Sequence, residues 1–92
     1  MSLVPMQQDK RIGVEFPISV TPTASGALYF GQVEITSYVP VNAKKVLVGY
    51  VTSNGRAPSS IMFATYDNKT YFNLWTVAGV LYEGTGYIEY EL

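Results

Sequence analysis

The stretch IMFATYDNKTYFNLWT, residues 61–76, decides how this chain is read. Two runs rich in β-branched and aromatic residues flank a polar centre, Asp67-Asn68-Lys69. Such residues fit a pleated surface, and Asp and Asn supply turn chemistry, so the stretch reads as a β-hairpin. A three-residue loop at 67–69 would need a left-handed residue, supplied by Asn68 or Lys69. That loop would set Tyr66 against Thr70. One face would then carry Met62 opposite Leu74 and Ala64 opposite Phe72. The other would carry Ile61 opposite Trp75, Phe63 opposite Asn73 and Thr65 opposite Tyr71. Both faces are apolar on this register, so one lines a core and the second needs another partner.

The rest of the chain follows the same period of two, with no helical stripe. Residues 1–11 are polar and irregular and read as a tail or linker, leaving 12–92 as a single domain. In 12–20, Val14, Phe16, Ile18 and Val20 share a face, and Pro17 marks an edge strand or a bulge. TPTASG at 21–26 reads as a loop. In 27–39, Tyr29, Val33, Ile35 and Val39 share one face, and Gln32, Glu34 and Thr36 the other. Residues 40–45 read as a turn. VLVGYVTS at 46–53 is apolar on both faces, as a central strand would be. NGRAPSS at 54–60 is a loop with an Asn-Gly turn signal. Residues 78–79 and 83–86 read as turns. A last strand, 87–92, puts Ile88, Tyr90 and Leu92 opposite in facing to Tyr87, Glu89 and Glu91. The expected fold is all-β, an antiparallel β-sandwich or jelly roll of six or seven short strands.

Composition bounds the function. Ninety-two residues make one small domain with one core. Hydrophobic residues are 48% and charged residues only 14%, against roughly 25% charged in a typical soluble domain. Such a surface is easiest to understand if one face is covered by another chain. The net charge of −1 gives no field to gather nucleic acid, and no apolar run reaches the length of a membrane helix. No basic-then-apolar signal peptide opens the sequence. Cysteine and histidine are both absent, which excludes disulfides, thiol nucleophiles and Cys/His zinc sites, and removes the commonest general base. Neither a catalytic constellation nor a metal or cofactor site is expected, and the chain reads as no enzyme.

YVPVNAKKVLVGYVTSNG at 38–55 resembles a pattern in the C-terminal domains of bacteriophage tail-fibre and receptor-binding proteins. A proline-containing turn leads into an apolar strand with a Val48-Gly49-Tyr50 step. A Ser/Asn/Gly loop and a hairpin follow, and the chain closes on GTGYIEYEL at 84–92. The resemblance covers about residues 27–92 and rests on order and spacing. It implies a compact β-sandwich or barrel in a virion, or in the bacterial cytoplasm if encoded by a prophage. It also implies a homotrimer at a fibre tip that binds host cell-surface saccharide. It carries over no catalytic or binding residue.

Five residues form the candidate interface or ligand face: Tyr71, Asn73 and Trp75, with Ile61 and Phe63 opposite them. Aromatic rings can cover the C–H face of a sugar while an amide takes its hydroxyls. Large aromatics more commonly fill cores and subunit contacts, so this face is expected to meet another subunit before a sugar. Asn54 and Arg56 are candidate loop contacts for a ligand. Glu89 and Glu91 point the same way, as glycosidase carboxylates can, but without an enclosing cleft they read as a solvated face. Asn68-Lys69-Thr70 matches a glycosylation acceptor, yet turn chemistry already explains it. Two alternatives stand beside the trimeric adhesin. One is a purely structural virion part, such as a capping, head-decoration or baseplate domain. The other is a monomeric carbohydrate-binding module.

Overall fold

The computed structural model describes residues 11–92, so the segment 1–10 of the expected tail lies outside the described residues. The described residues form seven strands and no helix. They are β1 (Ile12–Val20), β2 (Thr23–Ser25), β3 (Leu28–Glu34), β4 (Lys44–Thr52), β5 (Ser60–Tyr66), β6 (Lys69–Thr76) and β7 (Tyr82–Glu91). Two antiparallel sheets result, one ordered β1-β7-β4 and the other β2-β3-β6-β5. The expected all-β sandwich is the fold observed.

The core lies between the sheets. Phe16, Ile18, Tyr82, Ile88 and Tyr90 come from the three-stranded sheet, Phe72 and Leu74 from the four-stranded one. The Phe16 ring meets Phe72 edge-on at 5.8 Å and lies tilted against Tyr38 at 5.2 Å. Full burial of such side chains is worth about 1.5–3 kcal/mol each. The period-two reading of 12–20 is the observed β1, with Pro17 exposed on a strand at the sheet edge.

The opening hairpin differs in its turn. Only Asp67 and Asn68 connect the strands, both left-handed at φ 57° and 62°, and Tyr66 pairs with Lys69. Two consecutive left-handed residues make the two-residue turn whose twist matches the strands, and Asp and Asn tolerate that backbone. The shorter loop shifts every expected pair by one. Ile61 now faces Leu74, Phe63 faces Phe72 and Thr65 faces Thr70, while Met62 faces Asn73 and Ala64 faces Tyr71. A one-residue shift moves side chains to the other side of the sheet. Ile61 and Phe63 therefore pack against the core, away from Tyr71, Asn73 and Trp75.

Four further expectations change. β4 is an edge strand rather than a central one; the central strand is β7. β3 ends at Glu34, and residues 35–43 fold into turns. Ile35 and Val39 are still buried, because their spacing of four suits a turn as well as a strand. Tyr38 and Val39 both donate N–H groups to the Ile35 carbonyl. Thr70 holds this segment down: its hydroxyl donates to the Val39 carbonyl at 2.7 Å, and its N–H donates to the Thr36 hydroxyl at 3.1 Å.

The third is β7, which runs straight through the expected turn at 83–86. Gly84 and Gly86 are there because two rings lie across the strand. A Cβ at Gly86 would sit 2.4 Å from the Phe16 ring, and one at Gly84 would meet the Val51 carbonyl and the Tyr50 hydroxyl. The glycines mark close approach rather than a bend. Residues 23–25, expected as loop, form β2, which pairs with β3 around a left-handed Gly26.

Candidate functional site

Tyr71, Asn73 and Trp75 alternate along β6 with Phe72 and Leu74, so the inward burial of those two turns the other three outward. β6 is an interior strand of its sheet, and neighbours on both sides share this outer face. β3 sets Phe30 against Trp75, Gln32 against Asn73 and Glu34 against Tyr71. β5 sets Ser60, Met62 and Ala64 against Trp75, Asn73 and Tyr71. The Phe30 and Trp75 rings are 4.5 Å apart and tilted by 44°; Tyr66 and Tyr71 are 5.8 Å apart. Tyr66 is 65% exposed and Met62 53%.

Asn73 sits at the centre of this face and is only 8% exposed. Its side-chain oxygen is buried and accepts no hydrogen bond from the described residues. An unsatisfied buried acceptor costs about 1–3 kcal/mol. Trp75 and Tyr71 are half-buried, with Trp75 leaning on Phe30 rather than standing as an open platform.

Of the sequence candidates, the structure brings together Tyr71, Asn73 and Trp75 and removes Ile61 and Phe63. It adds Phe30, Gln32, Met62 and Tyr66. Phe30 was legible from its spacing of two before Gln32. Met62 and Tyr66 depended on the turn length.

The loop candidates behave differently. Asn54 is structural: its amide nitrogen donates to the Leu81 carbonyl at 3.0 Å, and its side-chain oxygen accepts from the Thr52 hydroxyl and the Arg56 N–H. This pins the 53–59 loop to the 77–81 loop. The Arg56 side chain is exposed and forms no ion pair among the described residues.

A cleft of about 260 Å³ opens between β4 and the start of β5, lined by Tyr50 and residues 57–61. The Tyr50 hydroxyl is buried there without a hydrogen-bond partner. Burial raises its pKa above the usual 10.0, Thr52 works in the opposite sense, and Glu83 and Tyr82 raise it further.

Glu89 and Glu91 lie on the outer face of the other sheet in an ion-pair cluster. Arg11 reaches Glu89 at 2.9 Å and Glu91 at 3.8 Å, and Lys45 reaches Glu91 at 3.6 Å. Both carboxylates are thus engaged by cations, on a face with no enclosing cleft. Among the described residues no group of three His, Cys, Asp or Glu could hold a metal, and no helix is long and apolar enough to cross a membrane. Neither a protein-family model, nor a curated protein, nor a solved structure matches this chain.

Proposed function

We propose that this chain is a non-enzymatic assembly and adhesion module of the phage tail-fibre or receptor-binding type. Its outer four-stranded face packs against further copies, three around an axis. The observation that carries the association is Asn73. Its acceptor is buried with no donor among the described residues, and the side chains exposed around it are Met62 and Tyr66, beside the half-buried Tyr71 and Trp75 rings, a poor surface for water and a good one for a second protein. Interface cores favour aromatic residues and Met and are poor in charge, and this face carries charge only at its rim, at Glu34 and Lys69. The phage assignment and the three-fold arrangement rest on the resemblance of residues 27–92.

A second reading uses the same face for saccharide. Gln32, exposed beside Asn73, adds an amide next to the Trp75 ring, as sugar recognition wants. The tilt of Trp75 onto Phe30 favours the protein partner.

Sedimentation velocity at micromolar concentration tests the proposal. The wild type is expected to run at three times the chain mass or a multiple of it. Met62→Glu, at an exposed position, is expected to remain folded and to lose the three-fold species. A wild type that is monomeric throughout would overturn the association. A glycan array that binds this monomer would then favour the saccharide reading.

A further inference from the structure

The geometry points to a second contact surface, the open edge of β4, and its partner is the β4 edge of another copy. β4 pairs with β7 on one side and, among the described residues, with no strand on the other. The hydrogen-bond phase identifies which groups are left over. Ser53 donates its N–H to the Glu83 carbonyl at 2.8 Å, one step beyond the Thr52–Gly84 pair. In an antiparallel ladder bonded pairs alternate with non-bonded ones, so Val51, Gly49 and Leu47 send their backbone groups to β7. Val48, Tyr50 and Thr52 therefore direct theirs to the open edge. Another extended backbone satisfies such a row in register.

Natural edges are blunted by charge, proline or a covering segment. Residues 46–53 contain no charge and no proline. The blunting devices stand outside that run: a bulge between Lys44 and Leu47 with Lys45 left-handed at one end, and the Asn54 loop at the other.

The partner follows from self-complementarity. On the outer face of β4, Leu47 is 54% and Val51 70% exposed, with Gly49 between them. A second β4 running antiparallel, with Gly49 opposite its own copy, sets Leu47 of each chain against Val51 of the other. It also makes Val48 and Tyr50 the bonded pair, as the free groups require. Shifting by one bonded step either way leaves Leu47 or Val51 without an apolar partner. The contact is two-fold and joins two three-stranded sheets into one of six strands. It lies on the opposite sheet from Asn73, so its test is separate from that of the proposed trimer.

The absence of cysteine makes that test clean. Gly49 falls at a non-bonded pair, where Cα atoms lie about 4.5 Å apart, inside the range of about 4.4–6.8 Å that a disulfide spans. A Cβ at Gly49 makes only ordinary contact, 3.7 Å from Tyr87. Gly49→Cys is expected to form disulfide-linked dimers on mild oxidation. Val51→Cys, four positions from its own copy and about 14 Å away, is expected to do so slower by on the order of tenfold or more. As a check that leaves Gly49 intact, Leu47→Cys mixed with Val51→Cys should cross-link faster than either variant alone. Equal rates for Gly49→Cys and Val51→Cys, or no preference in the mixture, would overturn the contact.

Discussion

On the outer face of the three-stranded sheet, Arg11 and Lys45 bridge Glu89 and Glu91, and the Tyr87 hydroxyl donates to Glu89 at 3.3 Å. On the outer face of the four-stranded sheet, the Asn73 oxygen accepts no hydrogen bond from the described residues, with Gln32 and Met62 opposite it and the Tyr71 and Trp75 rings two positions away on β6. Strands of the same period build both faces. The difference lies in which residues alternate with the core positions: Glu89 and Glu91 around Ile88 and Tyr90, against Tyr71, Asn73 and Trp75 around Phe72 and Leu74. Around Glu89 and Glu91 the charges are paired at the surface and satisfied in water. Around Asn73 the exposed side chains are apolar, Met62 and Tyr66 beside half-buried rings, and a partner would cover them.

The sharpest way to break this comparison is Asn73→Leu. Removing the unsatisfied amide is expected to stabilise the isolated chain by about 1–2 kcal/mol, read by urea unfolding below the association range. A loss of isolated-chain stability would mean that Asn73 is already satisfied within the fold.

The matching change on the other sheet is Glu89→Gln. Its ion pair with Arg11 is partly exposed, so stability should move by less than about 0.5 kcal/mol, and sedimentation should not change. A large effect would show that the charged face, rather than the aromatic one, carries the contact.

Much of this architecture was legible in the sequence. The alternation of 12–20 gave β1 and its core face without error, and Asp67-Asn68 located the hairpin. The register was not legible, because a two-residue and a three-residue loop both suit Asp-Asn-Lys, and one residue decides the facing of Ile61 and Phe63. Gly84 and Gly86 misled for a different reason. A glycine that makes room for a ring and one that permits a turn are identical in sequence, and the rings responsible, Tyr50 and Phe16, are more than thirty positions away. β4 misled because an apolar strand reads as central, whereas here it lies at an open edge. The site divided along the same lines: the β6 trio was recoverable from alternation alone, and its neighbours on β3 and β5 needed the pairing.

Trp75 is the single tryptophan of the chain and lies on the disputed face. Its fluorescence therefore reports directly on whether that face is covered. The account predicts a blue-shifted emission maximum at micromolar concentration that moves to longer wavelength on dilution, together with the fall in mass. An emission maximum independent of concentration, in a chain that stays monomeric, would contradict it.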